Sequence, residues 1–397
     1  MKETPGARPP ARKPALWLLV AMTGIGPFTM QILIPALPRV AADLRVPYAV
    51  AQLTLTLYLV GVALGQLLYG PLADRFGRRP VLLWSLILYL TASALAALSP
   101  SIAWLEVGRV AQAMGACSGM VLGRAIIRDV WPREEAASRI AYVVMAMTLA
   151  PMVAPMAGAL IEERFGWRAT MIACLLFGAP LLIAVWRRLP ETLREPQPLP
   201  GLRGMGLAYM SLLRMPAFRW IGAVGAASTG VFFAFMAGAP QVVEQLGYAP
   251  RVFATAFLGI SVSFALGSLL AARLSTRMGM VRMLSAGLWL IILGAAAMLA
   301  VQLLLPHSLA GFFLPMMLVA LGNGISLPNA VAAAISVRPE RAGTASGLLG
   351  AVQMGFGALM TVVNATLESG SGVATASVMA FCGVLANIAL WGARRRL

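Results

Sequence analysis

The feature that most constrains this chain is a succession of apolar runs, each about as long as a helix that crosses a bilayer. The first run begins at Ala15 and ends near Leu37, and eleven further runs follow at short intervals. About 20 residues of α-helix cross a hydrocarbon core of about 30 Å. Because 60% of the residues are hydrophobic and only 11% are charged, a soluble domain could not bury so much apolar surface. The pattern predicts an all-α membrane protein with twelve transmembrane helices.

One long polar stretch divides these runs into two sets of six. It contains several arginines and glutamates, and prolines at positions 190, 196, 198 and 200, which disfavour a continued helix. The predicted organisation is an N-terminal tail (1–14), a first six-helix bundle (15–187), a central linker (188–217), a second six-helix bundle (218–393) and a C-terminal tail (394–397).

The basic residues indicate how the helices are oriented. They fall in clusters between the apolar runs, and most clusters lie on one predicted side of the membrane together with both chain ends. Because cytoplasmic loops carry the excess of arginine and lysine, we expect both termini in the cytoplasm and the helices in the inner (plasma) membrane. The net charge of +17 has the same explanation. Without a basic domain or a basic stripe in the sequence, we expect no nucleic-acid partner.

Residues suited to metal or enzyme chemistry are few. The three cysteines, Cys117, Cys174 and Cys382, lie far apart inside apolar runs, and the sequence has a single histidine. No metal or redox motif can be built from them. The sequence also has no paired-carboxylate site, no His/Asp cluster and no nucleotide-binding loop. We expect no metal, no cofactor and no enzymatic activity.

The two halves of the sequence resemble each other. The second run ends in Gly65-Gln-Leu-Leu, then Leu72, Arg75 and Gly77, and the eighth ends in Gly267-Ser-Leu-Leu, then Leu274, Arg277 and Gly279. The same spacing in the equivalent loop of each half predicts two pseudo-symmetric bundles. Many secondary transporters built from such repeats hold their solute between the halves, near the middle of the membrane.

Several motifs then point to a family. They lie in the loop after helix 2, in helices 4 and 5, and at helices 1 and 6: Gly70-Pro-Leu-Ala-Asp-Arg-Phe-Gly-Arg-Arg-Pro80, Arg109-Val-Ala-Gln-Ala-Met-Gly115, Ala150-Pro-Met-Val-Ala-Pro-Met-Ala-Gly158, Pro35-Ala-Leu-Pro38 and Phe165-Gly-Trp-Arg168. Together they resemble the signatures of the major facilitator superfamily, and in particular of the Bcr/CflA branch of drug:proton antiporters. The resemblance covers essentially the whole chain. It implies a monomeric carrier in membrane lipid that works by alternating access, with a small-molecule substrate and protons as partners.

The loop signature implies a gate on the cytoplasmic side. The residues concerned are Asp74, Arg75, Gly77, Arg78 and Asp129. By resemblance, Asp74 caps the N-terminal end of helix 11 near Arg341–Gly343, where a carboxylate is favourable by about 0.3–1 kcal/mol, and Arg78 pairs with Asp129. These contacts would hold the two halves together and break as the cytoplasmic side opens.

Arg109 is the most informative single residue. It lies several residues inside helix 4, where a charge costs at least about 2.5–3.5 kcal/mol, so it must face the protein interior. Glu106 lies one turn earlier on the same face, at a spacing that permits an ion pair. Arg109 is therefore part of a structural pair, a modulator of a proton site or a contact for an anionic solute. Arg124 lies nearer the cytoplasmic end and can extend to the membrane surface.

Helix 1 departs from the family pattern. Members of the branch usually carry an aspartate shortly before the proline-containing stretch, and this chain has Gln31 there. An amide cannot exchange a proton, so Gln31 can contact a solute but cannot carry the coupling ion. Glu106, beside Arg109, is the remaining proton-coupling candidate, and Asp43 at the outer end of helix 1 is a weaker one. A cavity with an arginine and without a central acid favours neutral or anionic solutes.

Helices 1, 4, 7 and 10 usually line the path in this superfamily, which gives a set of candidate cavity residues. They are Phe28, Met30, Gln31, Arg109, Phe232, Phe235, Met236, Asn323, Ser326, Asn329 and, in helix 11, Gln353. We expect efflux of small neutral or anionic drug-like compounds in exchange for protons. The alternative is a dedicated carrier, in either direction, of one metabolite such as a siderophore-like chelate or an amino-acid derivative, with or without protons.

Overall fold

In the computed structural model most of the described residues are helical. The structure describes residues 13–193, 195–198, 201–305, 308–338, 342–368 and 370–394, so the predicted tails lie almost entirely outside the described residues. The helices are α1 (Leu16–Ile32), a 3-10 turn (Ile34–Ala36), α2 (Leu37–Asp43), α3 (Tyr48–Phe76), α4 (Arg78–Ala97), α5 (Ile102–Val130), α6 (Arg133–Phe165), α7 (Trp167–Arg188), α8 (Gly201–Leu213), α9 (Pro216–Gln245), α10 (Pro250–Met278), α11 (Met280–Leu304), α12 (Leu309–Ser336), α13 (Ala342–Leu367) and α14 (Val373–Arg394).

Most of these helices have the dimensions of membrane spans. Within the described residues, eleven segments are long and apolar enough to cross a bilayer, and one of them, Leu16–Asp43, joins α1, the 3-10 turn and α2 into a single span. Helix α6, whose side chains are described only in part, packs against α1 and α10 and completes the set of twelve. Large apolar side chains such as Trp84 (72%) and Leu176 (71%) are exposed, as expected for surfaces that contact lipid. The predicted all-α transmembrane fold is confirmed.

The helices form two bundles with the same internal packing. In the first, α5 packs closely on α3 and α4, and in the second, α12 packs closely on α10 and α11. A Cβ on Gly115 would lie 2.6 Å from the carbonyl oxygen of Ser85, and a Cβ on Gly322 would lie 2.5 Å from that of Gly287. The backbones are therefore too close for any side chain at these positions. The two pseudo-symmetric bundles predicted from the sequence repeat are confirmed.

The repeated loop glycines occupy equivalent turns in the two bundles. Gly77 has φ = 100° and Gly279 has φ = 86°, a left-handed backbone that favours glycine. Each ends one helix and begins the next, at α3–α4 and at α10–α11. We call the end of the molecule that holds these turns and the linker the linker end, and the opposite end the far end.

Helix α8 of the linker contacts both bundles at the linker end. Its Leu212 belongs to an apolar cluster with Leu349 of α13. Its Tyr209 hydroxyl donates a hydrogen bond of 3.0 Å to the carbonyl oxygen of Leu67 in α3. Pro71 lies four residues after Leu67 and has no N–H to offer this carbonyl. The tyrosine therefore satisfies an acceptor that α3 leaves free, and α8 connects the two bundles.

Candidate solute site and linker-end contacts

The bundles meet along α3 and α13, and polar side chains join them in the far half of the interface. Gln52 Nε2 donates to the carbonyl oxygen of Thr361 at 3.4 Å, and Thr56 Oγ1 lies 2.6 Å from Thr361 Oγ1. Nearby, the Tyr48 hydroxyl donates to the carbonyl oxygen of Ala237 in α9 at 3.0 Å. Because polar groups in a membrane interior need protein partners, these bonds stabilise the contact between the bundles. Gln52 and Thr56 form a polar stripe on α3 that sequence reasoning missed.

A cleft of about 330 Å³ opens between the bundles at the far end. It is lined by α2, α6, α9 and α10, and its charged side chains include Arg39, Glu162 and Glu244. Arg39 pairs with Asp43 at 3.2 Å, and the two side chains are 62% and 34% exposed. Asp43, one of the predicted proton-coupling candidates, thus lies at the protein surface in an exposed ion pair of the kind that contributes little to stability.

Arg109 lies inside the first bundle and is 1% exposed. Its Nη1 donates to the carbonyl oxygen of Thr29 at 3.1 Å and to Gln112 Oε1 at 2.7 Å. Its guanidinium lies 4.3 Å from the centre of the Tyr58 ring. Thr29 is in the last turn of α1, where the carbonyl groups form the negative end of the helix dipole. The charge is therefore held by a helix C-terminus, an amide and an aromatic face.

Within the described residues Arg109 has no carboxylate partner. The ion pair with Glu106 that the spacing permitted is not formed, so the prediction of a structural pair is wrong. Glu106 is half-buried, and its Oε1 has no hydrogen-bond partner in the structure. The physical reason is that the guanidinium turns towards the end of α1 instead of running back along α5.

Gln31 lies next to this buried charge. It is 1% exposed, and its Oε1 has no hydrogen-bond partner. The carbonyl oxygen of the preceding residue, Met30, lies 3.5 Å from Arg109 Nη2. Just beyond Gln31, α1 ends at Ile32 and the 3-10 turn begins. Within the described residues, a neutral amide with an unused acceptor thus lies close to a cation that has no acidic partner.

The remaining cavity candidates differ in whether they are free to contact a solute. Met30 packs against the apolar cores of both bundles, and Asn323 Oδ1 and Gln353 Nε2 are buried polar atoms without partners. The others are engaged inside one bundle: Phe28 packs on Phe177 of α7, Phe232, Phe235 and Met236 pack within the apolar core of the second bundle, and Ser326 and Asn329 bond to carbonyl groups of their own helix.

The loop between α3 and α4 holds a network of charges. Arg78 Nη1 lies 2.6 Å from Asp74 Oδ1, and Arg78 Nε lies 3.0 Å from Asp129 Oδ2, so the predicted pair of Arg78 with Asp129 is formed. Arg75 is exposed, and Gly77 supplies the turn. These residues belong to α3, α4 and α5, and the observed contacts therefore stabilise the first bundle. The predicted cap of α13 by Asp74 near Arg341–Gly343 stays a prediction, because Arg341 lies outside the described residues.

Glu191, which sequence reasoning missed, completes this network from the linker. Its carboxylate oxygens accept the backbone N–H groups of Arg78 and Arg79 at 3.0 and 3.1 Å, at the start of α4. A carboxylate there satisfies free N–H groups and favours the helix dipole. The next residue, Thr192, donates its hydroxyl to Asp129 Oδ2 at 3.1 Å. In the sequence, the only sign of this contact is that Glu191 and Thr192 directly follow Pro190. Their distance along the chain from α4 gives no indication that they contact its first residues.

Arg124 does not extend to the membrane surface, as its position in the sequence had allowed. Its Nε donates to the carbonyl oxygen of Met120, one turn back, at 3.1 Å, and its Nη1 donates to Ser346 Oγ of α13 at 3.4 Å. The guanidinium therefore points away from the linker end and towards the second bundle. Elsewhere, no three His, Cys, Asp or Glu side chains of the described residues cluster as metal ligands.

Comparison with known proteins agrees with this architecture. The family model described as Major Facilitator Superfamily matches residues 19–362. The chain is 35% identical to the chloramphenicol resistance protein of Pseudomonas aeruginosa over 79% of this chain and 72% of that one. It is 30% identical to the bicyclomycin resistance protein homolog of Haemophilus influenzae over 92% of each. A solved D-xylose-proton symporter, 15% identical, has the same fold, with a TM-score of 0.77 over 95% of this chain and 97% of that one.

Proposed function

This chain belongs to the major facilitator superfamily of secondary transporters, and from that premise we propose that it exports small neutral or anionic drug-like compounds in exchange for protons. On this proposal it is a monomer of the Bcr/CflA branch in the inner (plasma) membrane, with its linker end in the cytoplasm. The relatives named for resistance to chloramphenicol and bicyclomycin support export. The arginine-rich loops at the linker end support the orientation.

The observation that carries the choice of solute is the buried charge of Arg109 without a carboxylate partner. A cationic solute near this charge would be repelled strongly, because water does not screen charges in the interior. An anion, or a neutral compound with carbonyl or nitro oxygens, would instead gain charge-assisted hydrogen bonds. Gln31 supports the same choice, since its amide replaces the acid that would attract a cation.

Glu106 is the proposed proton carrier. It lies one turn from Arg109 on α5, and its unpartnered carboxylate oxygen is free to take up a proton. A change in the charge of Glu106 would alter the electrostatic potential at Arg109, which lies one turn away. Protonation of Glu106 would make that potential more positive and so change the affinity for an anionic solute, which would couple the proton to the solute.

Two kinds of contact support alternating access. At the far end a cleft lies open between the bundles, whereas at the linker end Gln66, Arg124 and Tyr209 reach across to the opposite bundle. Besides these polar contacts, Leu67 of α3 packs against the apolar cluster that contains Leu212 and Leu349. We propose that export requires these contacts to separate while the far end closes.

The test is transport by the purified full chain in liposomes that contain a pH-sensitive dye. We expect chloramphenicol to move across the membrane only with the protein present, and its movement to dissipate an imposed proton gradient. Glu106→Gln should abolish the proton signal, whereas Glu135→Gln, at an exposed surface carboxylate, should leave it intact. Absence of flux for both chloramphenicol and bicyclomycin would favour the dedicated metabolite carrier. Flux with an unchanged gradient would refute proton exchange.

A further inference from the structure

A second arginine of α5 lies at the interface between the bundles without an acidic partner. Arg124 is half-buried, and within the described residues no carboxylate lies within ion-pair distance of it. A guanidinium has five N–H donors, and its bonds to Met120 and Ser346 use two of them. The other donors are available to a solute.

Gln66 of α3 lies at nearly the same depth. Gly65 of α3 lies at the same depth in the membrane as Cys117 of α5, because a Cβ on Gly65 would lie 3.2 Å from Cys117 Cβ. From these residues both helices continue towards the linker end. The Met120 carbonyl that holds Arg124 is one turn further along α5, or about 4.5 Å. Gln66 is 8% exposed, and its Oε1 has no hydrogen-bond partner. A free acceptor and a partly free cation thus lie side by side.

Both groups face the same stretch of α13. Arg124 contacts Ser346, and the side chain of Gln66 occupies the space that a Cβ on Gly350 would need. Ser346 and Gly350 are four residues apart and therefore lie on one face of the helix. This face carries no bulky side chain at the contact, so a small shift of α13 exposes Arg124 and Gln66 together from the linker end.

We propose that Arg124, with Gln66 and Ser346, is a second solute-binding site, which binds the anionic group of an organic acid in the linker half of the path. Arg109 lies fifteen residues before Arg124 on α5, about 22 Å along the helix and on nearly the same side. The two cations mark two successive positions of one anion. The acceptor of Gln66 adds a preference for anions that also carry an amide N–H or a hydroxyl. The inference rests on the proposed function, and it specifies organic anions as the solute class.

The test compares two probes that differ at one position, chloramphenicol and its hemisuccinate ester, in which one hydroxyl is replaced by a succinyl ester that ends in a carboxylate. Uptake of each is measured in liposomes containing wild type, Arg124→Gln, Arg124→Lys or Arg128→Gln; Arg128 is an exposed arginine one turn away. A hydrogen bond to a charged group contributes about 1.5–3 kcal/mol, so Arg124→Gln should slow hemisuccinate uptake at low concentration about tenfold or more. Chloramphenicol uptake should change much less, because the amide of glutamine still donates hydrogen bonds to a neutral probe but supplies no charge to a carboxylate. Arg124→Lys should restore most of the hemisuccinate rate, and Arg128→Gln should behave like wild type.

If Arg124 serves only to hold α5 against α13, the experiment gives a different result. Loss of the Arg124–Ser346 contact alone would change the rates of both probes equally, and that outcome would overturn the inference while the proposed function stands. So would wild-type uptake of chloramphenicol without uptake of the hemisuccinate. If wild type carries neither probe, the proposed function itself fails, and this is seen before any variant is compared.

Discussion

Replacing Arg109 by methionine should abolish transport while leaving the protein nearly as stable as wild type. Methionine has a similar length and no charge. Removing a charge from the middle of a transmembrane helix gains about 2.5–3.5 kcal/mol. Losing the hydrogen bonds to Thr29 and Gln112 costs about 1.5–3 kcal/mol each. Because the two effects oppose each other, we expect the free energy of unfolding to fall by about 1.5 kcal/mol, which is the middle of the resulting range.

The measurements are solute flux in liposomes and thermal stability of the purified protein in detergent. Arg168→Met is a matched control, because Arg168 Nη2 donates to the carbonyl oxygen of Ser99 at 3.0 Å and its guanidinium lies 4.3 Å from the Trp167 ring centre. Arg168 therefore has similar contacts to Arg109 but lies at the far end, partly buried. We expect Arg168→Met to transport at the wild-type rate and Arg109→Met to show only background flux.

Two results would refute this reasoning. If Arg109→Met aggregates or melts far below Arg168→Met, the arginine is needed to hold α1 against α5, and its charge has a structural purpose. If Arg109→Met is stable and still transports, the buried charge plays no part in solute binding. The reasoning holds only if the Arg109→Met protein is stable, correctly inserted and inactive, because that result shows that the charge of Arg109 serves solute binding and not folding.

Two further changes test the packing and the linker-end network. A Cβ on Gly119 would overlap the carbonyl oxygen of Met22 in α1, so Gly119→Ala should lower the free energy of unfolding by about 1–3 kcal/mol. Gly24→Ala is the control, because no atom lies within 4 Å of a Cβ at that position, and it should leave the stability unchanged. Equal melting temperatures for the two variants would contradict the close packing of α1 on α5. Asp129→Asn removes the charge from a pair whose guanidinium side chain is only 10% exposed, and should destabilise the protein by about 1–2 kcal/mol. Glu135→Gln, at an exposed pair, should destabilise the protein by less than about 1 kcal/mol. Equal changes in melting temperature for Asp129→Asn and Glu135→Gln would show that partial burial does not strengthen the Arg78–Asp129 pair.

The helices and bundles could be predicted because lipid imposes strict conditions on the sequence. A spanning helix needs a long apolar run, and a repeat shows itself in the turn glycines, as at Gly77 and Gly279, where the left-handed backbone restricts the residue. The pair of Arg78 with Asp129 followed from a motif with fixed spacing. In each of these cases the physical requirement falls on a short stretch of chain, which the sequence displays directly.

Contacts between distant segments could not be predicted in this way. The spacing of Glu106 and Arg109 permits an ion pair. Whether the pair forms depends on the free carbonyl groups at the end of α1, which compete with Glu106 for the guanidinium. Glu191 caps a helix far from it in the chain. Helix α8 follows a proline-rich stretch that suggested an extended linker, and Tyr209 within it finds a carbonyl that is free only because of a proline in α3.

The amide of Gln31 and the proposed anionic solute fit together energetically. The C-terminus of α1 supplies about half a negative charge near Arg109, which leaves the empty site positive because Gln31 adds no charge. Binding of a monoanion would change the net charge of the site from about +0.5 to about −0.5, so the anion is attracted to a positive site and pairs with the guanidinium. Across a potential of about 100 mV, negative inside, outward movement of one negative charge releases about 2.3 kcal/mol. Export of an anion would therefore gain a driving force from the potential in addition to any proton exchange through Glu106, whereas export of a cation would have to work against the same potential.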